Sequence, residues 1–210
     1  MMDDRGNLPQ RWSRPIEQMA QQSQRMENII RDLLTLSQLE TRAASRQQTT
    51  VQLHSLLSDI KQDAEQVFHE KQQQFALSCD PKIYIRGNIS ELYSAMSNLV
   101  LNAAKYTQPE GEIKLTATLE QGLRVCISDD GPGIGAQHLP RLTERFYRVD
   151  ESRSTDTGGT GLGLAIVKHV LARHEGKLEI RSQVGQGSEF TCCFPKERVE
   201  LREIPQQAQP

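Results

Sequence analysis

The stretch Gly158-Gly-Thr-Gly-Leu-Gly-Leu-Ala-Ile-Val167 sets a cluster of glycines directly ahead of an apolar helical run. Backbone N–H groups at a helix start have no intrahelical partner and carry the positive end of the dipole, so such a run can hold a phosphate without any side chain. What surrounds it excludes two familiar versions of that arrangement. The dinucleotide-binding form needs a strand immediately before the glycines, whereas the polar, aperiodic stretch from Arg148 to Thr160 precedes them here. The P-loop form ends in Gly-Lys-Ser or Gly-Lys-Thr, which is missing. There remains a glycine-rich helix start fed by a long loop, on which Arg148 and Arg153 are placed to close over a polyphosphate as charge clamps. A loop of that length without periodicity predicts a mobile functional segment.

Downstream, a helix is predicted from about Gly161 to His174, with Gly176 as its stop. The alternating stretches Lys177 to Ser182 and Ser188 to Phe194 then form a hairpin around Val184-Gly-Gln-Gly187. Upstream lies a short helix over Leu139 to Tyr147. Before it, Ile113, Leu115, Ala117 and Leu119 alternate, as do Leu123, Val125 and Ile127, with Glu120-Gln-Gly122 as the turn between two strands. A strong helix over 88 to 106 has Leu92, Ala95, Met96, Leu99, Val100 and Ala103 on one face, and Gln108-Pro-Glu-Gly111 follows it. Strands at Phe75 to Cys79 and Ile83 to Arg86 and a helix over Leu53 to Phe68 come earlier. The N-terminal part is different: Ile16, Met19, Met26, Ile30 and Leu33 recur with heptad character, widened by Ile29, Leu34, Leu36 and Leu39. Such a stripe needs a partner helix. Thr41 to Thr50 reads as a linker, giving a domain boundary near residue 45.

Composition narrows the function classes. The chain has 210 residues and a net charge of -2, without the clustered basic excess of nucleic-acid binders. No apolar run approaches the ~18 residues of a membrane span, and Met1 to Gln10 lack the basic and apolar blocks of a secretory signal. Cys79, Cys126, Cys192 and Cys193 show no zinc spacing and are expected to be reduced thiols of a cytoplasmic protein.

Two further elements carry chemistry. On the helix over 88 to 106, Glu91, Ser94, Asn98, Asn102 and Lys105 fall three or four apart and share a face. Asparagine is a mediocre helix former, and an ordinary solvated face would favour Lys, Glu or Gln. Two asparagines followed by Lys105 and Tyr106 suit a hydrated cation and a phosphate, since an amide oxygen is a hard, neutral ligand for Mg²⁺. The second element, Ile127-Ser-Asp-Asp-Gly-Pro-Gly-Ile134, ends a strand. Asp129 sits where a carboxylate can accept a hydrogen bond from a ligand amino group, while Gly131 and Gly133 allow close approach; a plain turn is the competing reading.

Taken in order, Asn98-Leu-Val-Leu-Asn-Ala-Ala-Lys-Tyr-Thr107, Asp129-Asp-Gly-Pro-Gly133, Glu144-Arg-Phe-Tyr-Arg148, Gly159-Thr-Gly-Leu-Gly163 and Gly185-Gln-Gly-Ser188 resemble the asparagine, first glycine, phenylalanine, second glycine and final glycine motifs of sensor histidine kinases. The resemblance covers about residues 15 to 195, and Pro140 to Asp150 looks most like the phosphate-regulon members of that family. It implies an α+β fold, a two-layer α/β sandwich of the histidine-kinase, gyrase and heat-shock ATPase type, preceded by a coiled-coil-like helix. The domains it implies are 1–45, the second helix of a dimerisation hairpin plus linker; 46–196, the ATP-binding catalytic domain; and 197–210, a disordered tail. By the same resemblance Asn102 matches the Mg²⁺ ligand, Asn98 lies near the phosphates, Lys105 contacts phosphate, Tyr106 stacks by the adenine, and Asp129 reads its amino group. Gly131 and Gly133 shape that wall. Arg148 and Arg153 match lid arginines, and Gly159, Thr160, Gly161, Leu162 and Gly163 match the lid end that caps the triphosphate. Catalysis then falls to Asn98, Lys105 and Arg148, chiefly by electrostatic positioning of the γ-phosphate.

The chain departs from that family's pattern at the acceptor. Such kinases phosphorylate a histidine within a run close to Ser-His-Glu-Leu-Arg-Thr-Pro. None of His54, His69, His138, His169 and His174 stands in such a run. The chain therefore reads as a cytoplasmic fragment cut just after the acceptor helix, unable to autophosphorylate, from a parent anchored in the inner membrane. The resemblance implies ATP and Mg²⁺ as cofactors, and a response-regulator receiver domain and a second copy of the kinase as partners. It implies neither nucleic acid nor direct membrane contact. A non-catalytic nucleotide-binding dimerisation module is the alternative. An ATP-hydrolysing relative is disfavoured, because such relatives carry a water-activating glutamate where this chain has Asn98.

Overall fold

The computed structural model describes residues 10–41, 48–149 and 159–203. Helix α1 (Gln10–Thr41) is followed by β1 (Thr49–Gln52), α2 (Leu53–Val67), β2 (Gln74–Ser78), β3 (Ile83–Gly87) and α3 (Ile89–Tyr106). Then come β4 (Glu112–Leu119), β5 (Gly122–Asp129), α4 (Gly163–Arg173), β6 (Lys177–Gln183), β7 (Gly187–Pro195) and β8 (Val199–Leu201). Five strands form a sheet in the order β2-β4-β5-β7-β6, in which β2 and β4 run parallel and the other neighbours antiparallel. A smaller antiparallel sheet, β1-β3-β8, stands apart from it.

The period-two pattern of β5 turns Leu123, Val125 and Ile127 inward, opposite Phe194, Cys192 and Phe190 of β7. Onto that apolar face α3 lays Leu92, Ala95, Met96, Leu99 and Val100, and α4 lays Ile166, Val167 and Val170, giving a helical layer over a sheet. The α+β sandwich expected from the sequence is the one formed. All four cysteines are free thiols; Cys192 is buried in this core, and burial pushes its pKa up.

Helix α3 starts where Asn88 accepts a hydrogen bond from the Glu91 N–H at 3.1 Å. Helix α4 stops in a Schellman arrangement, with Gly176 N–H on Leu171 O at 2.7 Å and Glu175 N–H on Ala172 O at 3.2 Å. The left-handed residue is Glu175, at φ 57°, not the glycine expected to stop the helix. Gly176 is needed for space instead, since a Cβ there would lie 2.6 Å from Cys193 O.

Helix α1 is nearly continuous with the N-terminal helix read from its heptads, but only its last turns pack on the sandwich. Leu36 and Leu39 are buried, whereas Met19, Met26, Ile30 and Leu34 are exposed. Each buried leucine stabilises this docking by roughly 1.5–3 kcal/mol. Polar contacts reinforce it: Glu40 pairs with Arg145, His169 Nε2 lies 3.5 Å from Glu40, and Arg173 donates to Leu39 O at 3.2 Å.

Three expectations need correction. Leu139 to Tyr147 is not a helix; only Leu139–Arg141 makes a 3-10 turn, and Phe146 takes a left-handed φ of 64° because its N–H turns to Gly161 O. Thr49–Gln52, assigned partly to the linker, is a strand paired with β3. Val199–Leu201, placed in the disordered tail, pairs with the opposite edge of β3, and the adjoining Arg198 is buried against Arg86 O and Glu175. The boundary near residue 45, most of the long loop with Arg153, and residues 204–210 lie outside the described residues.

Candidate functional site

Helix α3 projects Asn98 toward the start of α4. The Asn98 Nδ2 donates to Ser94 O at 2.8 Å, which turns Oδ1 the other way, and a Cβ added to Gly163 would lie 2.4 Å from that oxygen. A side chain where the second glycine motif enters α4 would therefore displace the Asn98 carboxamide. One turn along, Asn102 is half-buried, and its carboxamide makes no hydrogen bond to another described residue. Glu91 and Ser94, from the same polar stripe, do not join the site: Glu91 is ion-paired to Arg173 at 3.0 Å, and the Ser94 carbonyl serves Asn98.

Near its C-terminus, α3 brings Lys105 against the glycine run. A Cβ on Gly159 would meet the Lys105 ammonium at 2.6 Å, and Arg148 Nη1 donates to Gly159 O at 2.7 Å. Burial, with repulsion from Arg148 second, pushes the Lys105 pKa down to about 8. Two cations held together beside open backbone amides make an anion site, because an anion relieves both the repulsion and the desolvation. The first N–H groups of α4 add their dipole end to it.

Thr160 and Leu162 are arranged differently from the expected cap. Thr160 Oγ1 donates to Asp32 of α1 at 2.7 Å and accepts from Leu162 N–H at 3.1 Å, so that amide is bonded to the threonine here. Gly161 takes a φ of +74°, and a Cβ there would sit 2.8 Å from the Phe146 backbone; a side chain would push the glycine run off the phenylalanine loop. Asp32 is absent from the sequence reading, since 128 residues separate it from Thr160.

The second wall adjoins the end of α3. Asp129 is half-buried at the end of β5, and its Oδ1 accepts from Gly131 N–H at 3.0 Å. Burial raises the Asp129 pKa, and backbone bonds from Gly131 and Ser188 oppose the rise. A Cβ on Gly131 would meet Asp129 Oδ1 at 2.8 Å and Tyr106 O at 3.3 Å, so the turn after α3 and the turn after β5 touch. Tyr106 is exposed beside them, its ring 5.2 Å from Lys105 Nζ. Gly133 faces away: its Cβ would strike Gln183 O at 1.9 Å, so it is glycine to let the loop seat on the β6–β7 hairpin. Ile134 N–H on Ser182 Oγ and Gly185 N–H on Pro132 O, both at 2.8 Å, complete that seat.

The structure thus brings Asn98, Asn102, Lys105, Tyr106, Asp129, Gly131, Arg148, Gly159 and Gly163 to one side of the helical layer. A family of histidine kinase-, DNA gyrase B- and HSP90-like ATPases matches residues 87–198, and the chain belongs to that family, on its histidine-kinase side. It is 46% identical, over 95% of its length, to the phosphate regulon sensor protein PhoR of Pseudomonas aeruginosa, and covers 45% of that protein. It is 40% identical to PhoR of Haemophilus influenzae over 88% of its length, covering 43% of that protein. The chain thus spans less than half the length of these relatives. Among solved structures, full-length ShkA in complex with AMPPNP superposes with a TM-score of 0.73 at 27% identity, over 86% of this chain and 37% of ShkA.

Proposed function

We propose that this chain is the ATP-binding catalytic portion of a sensor histidine kinase, which transfers the γ-phosphoryl group of ATP to a histidine outside the chain and thence to a response-regulator aspartate. The observation that carries the reading is the convergence of Lys105, Arg148 and the Gly159–Gly163 backbone opposite Asn98. That set suits a polyphosphate, and the adjoining Asp129–Gly131 turn suits an aminopurine. Identity with the two PhoR proteins supports a role in phosphate-regulon signalling.

In this reading Asp129 accepts a hydrogen bond from the adenine amino group, Gly131 keeps that wall open, and Tyr106 lies along the base. Lys105 and Arg148 hold the phosphates, with Arg153 added from the long loop. Gly159, Thr160, Gly161, Leu162 and Gly163 close over the triphosphate. Thr160 is then shared between that task and Asp32 of α1. Catalysis by Asn98, Lys105 and Arg148 is electrostatic: two cations and an amide fixed before the reaction stabilise charge on the transferring group without reorganising.

The donor set fits Mg²⁺. Among the described residues there is no cluster of three His, Cys, Asp or Glu that could hold a metal. Asn102 instead offers a neutral amide oxygen with no hydrogen-bond partner among the described residues, and phosphate and water would complete the ion's coordination. Bound there, Mg²⁺ would supply charge neutralisation between phosphate oxygens.

Local structure opposes His174 and His138 as acceptors. His174 is buried, with Nδ1 on Val170 O at 2.8 Å and Nε2 accepting from Asn88 N–H at 3.1 Å; His138 Nδ1 is on the Tyr147 hydroxyl at 2.7 Å. The exposed apolar side of α1 suits a dimerisation hairpin completed by a helix from elsewhere in the parent. No described helix is long and apolar enough to cross a membrane, and the parent's anchor is assigned to other segments. Incubated with γ-labelled ATP, the chain alone is expected to take no label but to label a separately supplied hairpin carrying the acceptor histidine. Label on the chain itself would contradict the missing acceptor; label on neither would favour a non-catalytic interaction module.

A further inference from the structure

Helix α3 ends without a local device that satisfies its last carbonyls. Thr107 N–H bonds to Ala103 O at 2.9 Å, but Thr107 is extended, with ψ 138°, and Pro109 follows. No left-handed residue closes the last turn, so the carbonyls after Ala103 need partners from elsewhere. They find them on the connection between α2 and β2. Lys71 Nζ donates to Ala104 O at 2.9 Å, Lys105 O at 2.7 Å and Thr107 O at 2.9 Å, using all three of its protons. Gln73 Nε2 donates to Ala104 O and Thr107 O, both at 2.8 Å.

An ammonium in this position is costly. It is partly desolvated, which lowers its pKa, and no carboxylate of the described residues forms an ion pair with it. Backbone carbonyls and the negative end of the α3 dipole are its compensation. The two connections are also laced together through the backbone, by Glu110 N–H on Lys71 O and Gln74 N–H on Gly111 O, both at 2.9 Å. A helix end that needed only satisfaction could have used a glycine at lower cost. This one carries Lys105 and Tyr106 inside the capped segment, and the Tyr106 carbonyl leans on Gly131.

We infer that Lys71, assisted by Gln73, is a positioning residue for the nucleotide site: by gripping the carbonyls of Ala104, Lys105 and Thr107 it fixes where Lys105 meets the phosphates and where Tyr106 meets the base. The assignment rests on the nucleotide-site reading above. It concerns residues that touch no ligand, lie outside every glycine and asparagine motif, and reach the site from 31–36 residues earlier in the chain.

The test is ADP affinity of the full chain, measured from about pH 7.5 to about pH 9.5, where the phosphates of ADP no longer titrate. Lys105 faces Arg148 from the loop, the Tyr106 ring from its own helix and the Gly159 backbone, with no carboxylate of the described residues paired to it. Its pKa of about 8 in the free chain rises when phosphate binds. Affinity is therefore full while Lys105 is protonated and falls as pH rises through about 8, where binding must take up a proton. Lys71→Met is expected to weaken ADP binding roughly tenfold and to move that fall to higher pH, because the released turn lets Lys105 leave Arg148 for water. Gln73→Leu is expected to do the same to a smaller extent, and carries the test alone if Lys71→Met does not fold.

A folded variant with wild-type affinity and profile would overturn the assignment. So would weakened binding with an unshifted profile, since that is what general destabilisation gives. Failure of the wild-type chain to bind ADP at any pH would instead remove the nucleotide site, and this assignment with it.

Discussion

Asp129→Asn is expected to weaken adenine-nucleotide binding by roughly 10- to 100-fold while leaving the affinity for tripolyphosphate unchanged. The substitution is isosteric, and the amide oxygen can still accept from Gly131 N–H at 3.0 Å, one of two backbone bonds, with that from Ser188, that hold the side chain at the end of β5. The group turned toward the base becomes a donor, and a donor cannot receive the amino hydrogen of adenine. Losing a charge-assisted bond in a half-buried site costs about 1.5–3 kcal/mol. Tripolyphosphate depends on Lys105, Arg148 and the glycine backbone, which the substitution does not touch. Parallel titrations with the two ligands check this; equal losses for both would place Asp129 in the fold rather than at the base.

Glu91→Gln is expected to lower stability by about 3 kcal/mol and the melting temperature by roughly 6–12 °C. The Glu91 and Arg173 side chains are 17% and 12% exposed and meet in a fork, with Nε and Nη2 on the two carboxylate oxygens at 3.1 and 3.0 Å. Removing one charge of such a pair strands the other where water cannot fully reach it. The pair joins α3 to α4, and Arg173 also binds Leu39 O near the C-terminus of α1. Loss of the pair is thus expected to loosen α1 as well, read as faster proteolysis within α1 of the folded variant. A melting temperature within a degree or so of wild type would show that the pair adds nothing net, as many exposed pairs do not.

Elements with a long repeated pattern are legible in the sequence. In α3, β4, β5, β6 and β7 the apolar spacing runs for several periods and its sense agrees with the turn residues between them. Where a segment is short, pairing rather than pattern decides. Thr49–Gln52 and Val199–Leu201 are strands because both edges of β3 need partners, and neither contains enough residues to show a period. Phe146 defeats the helical reading of its segment through a tertiary bond to Gly161 that composition does not encode. At the α4 stop, Glu175 takes the left-handed position because its carboxylate reaches the buried Arg198 guanidinium, while Gly176 is fixed by the crowding of Cys193.

The site divides in the same way. Its motif residues could be picked out because glycines and asparagines are odd choices at helix starts and on helix faces. Gly133 follows the same logic in the sequence, yet its close contact is the hairpin backbone. Residues that act through others left no local mark. Lys71, Gln73 and Asp32 are ordinary polar side chains on helices and turns, and only the folded chain brings them to the carbonyls of α3 and to Thr160.

The proposed function requires these walls to form one nucleotide pocket. Its most direct test is calorimetric titration of the chain with a non-hydrolysable ATP analogue, with and without Mg²⁺. Saturable binding at a single site, weakened when Mg²⁺ is withheld, is the predicted result. A folded chain that gives no binding in either condition would contradict it.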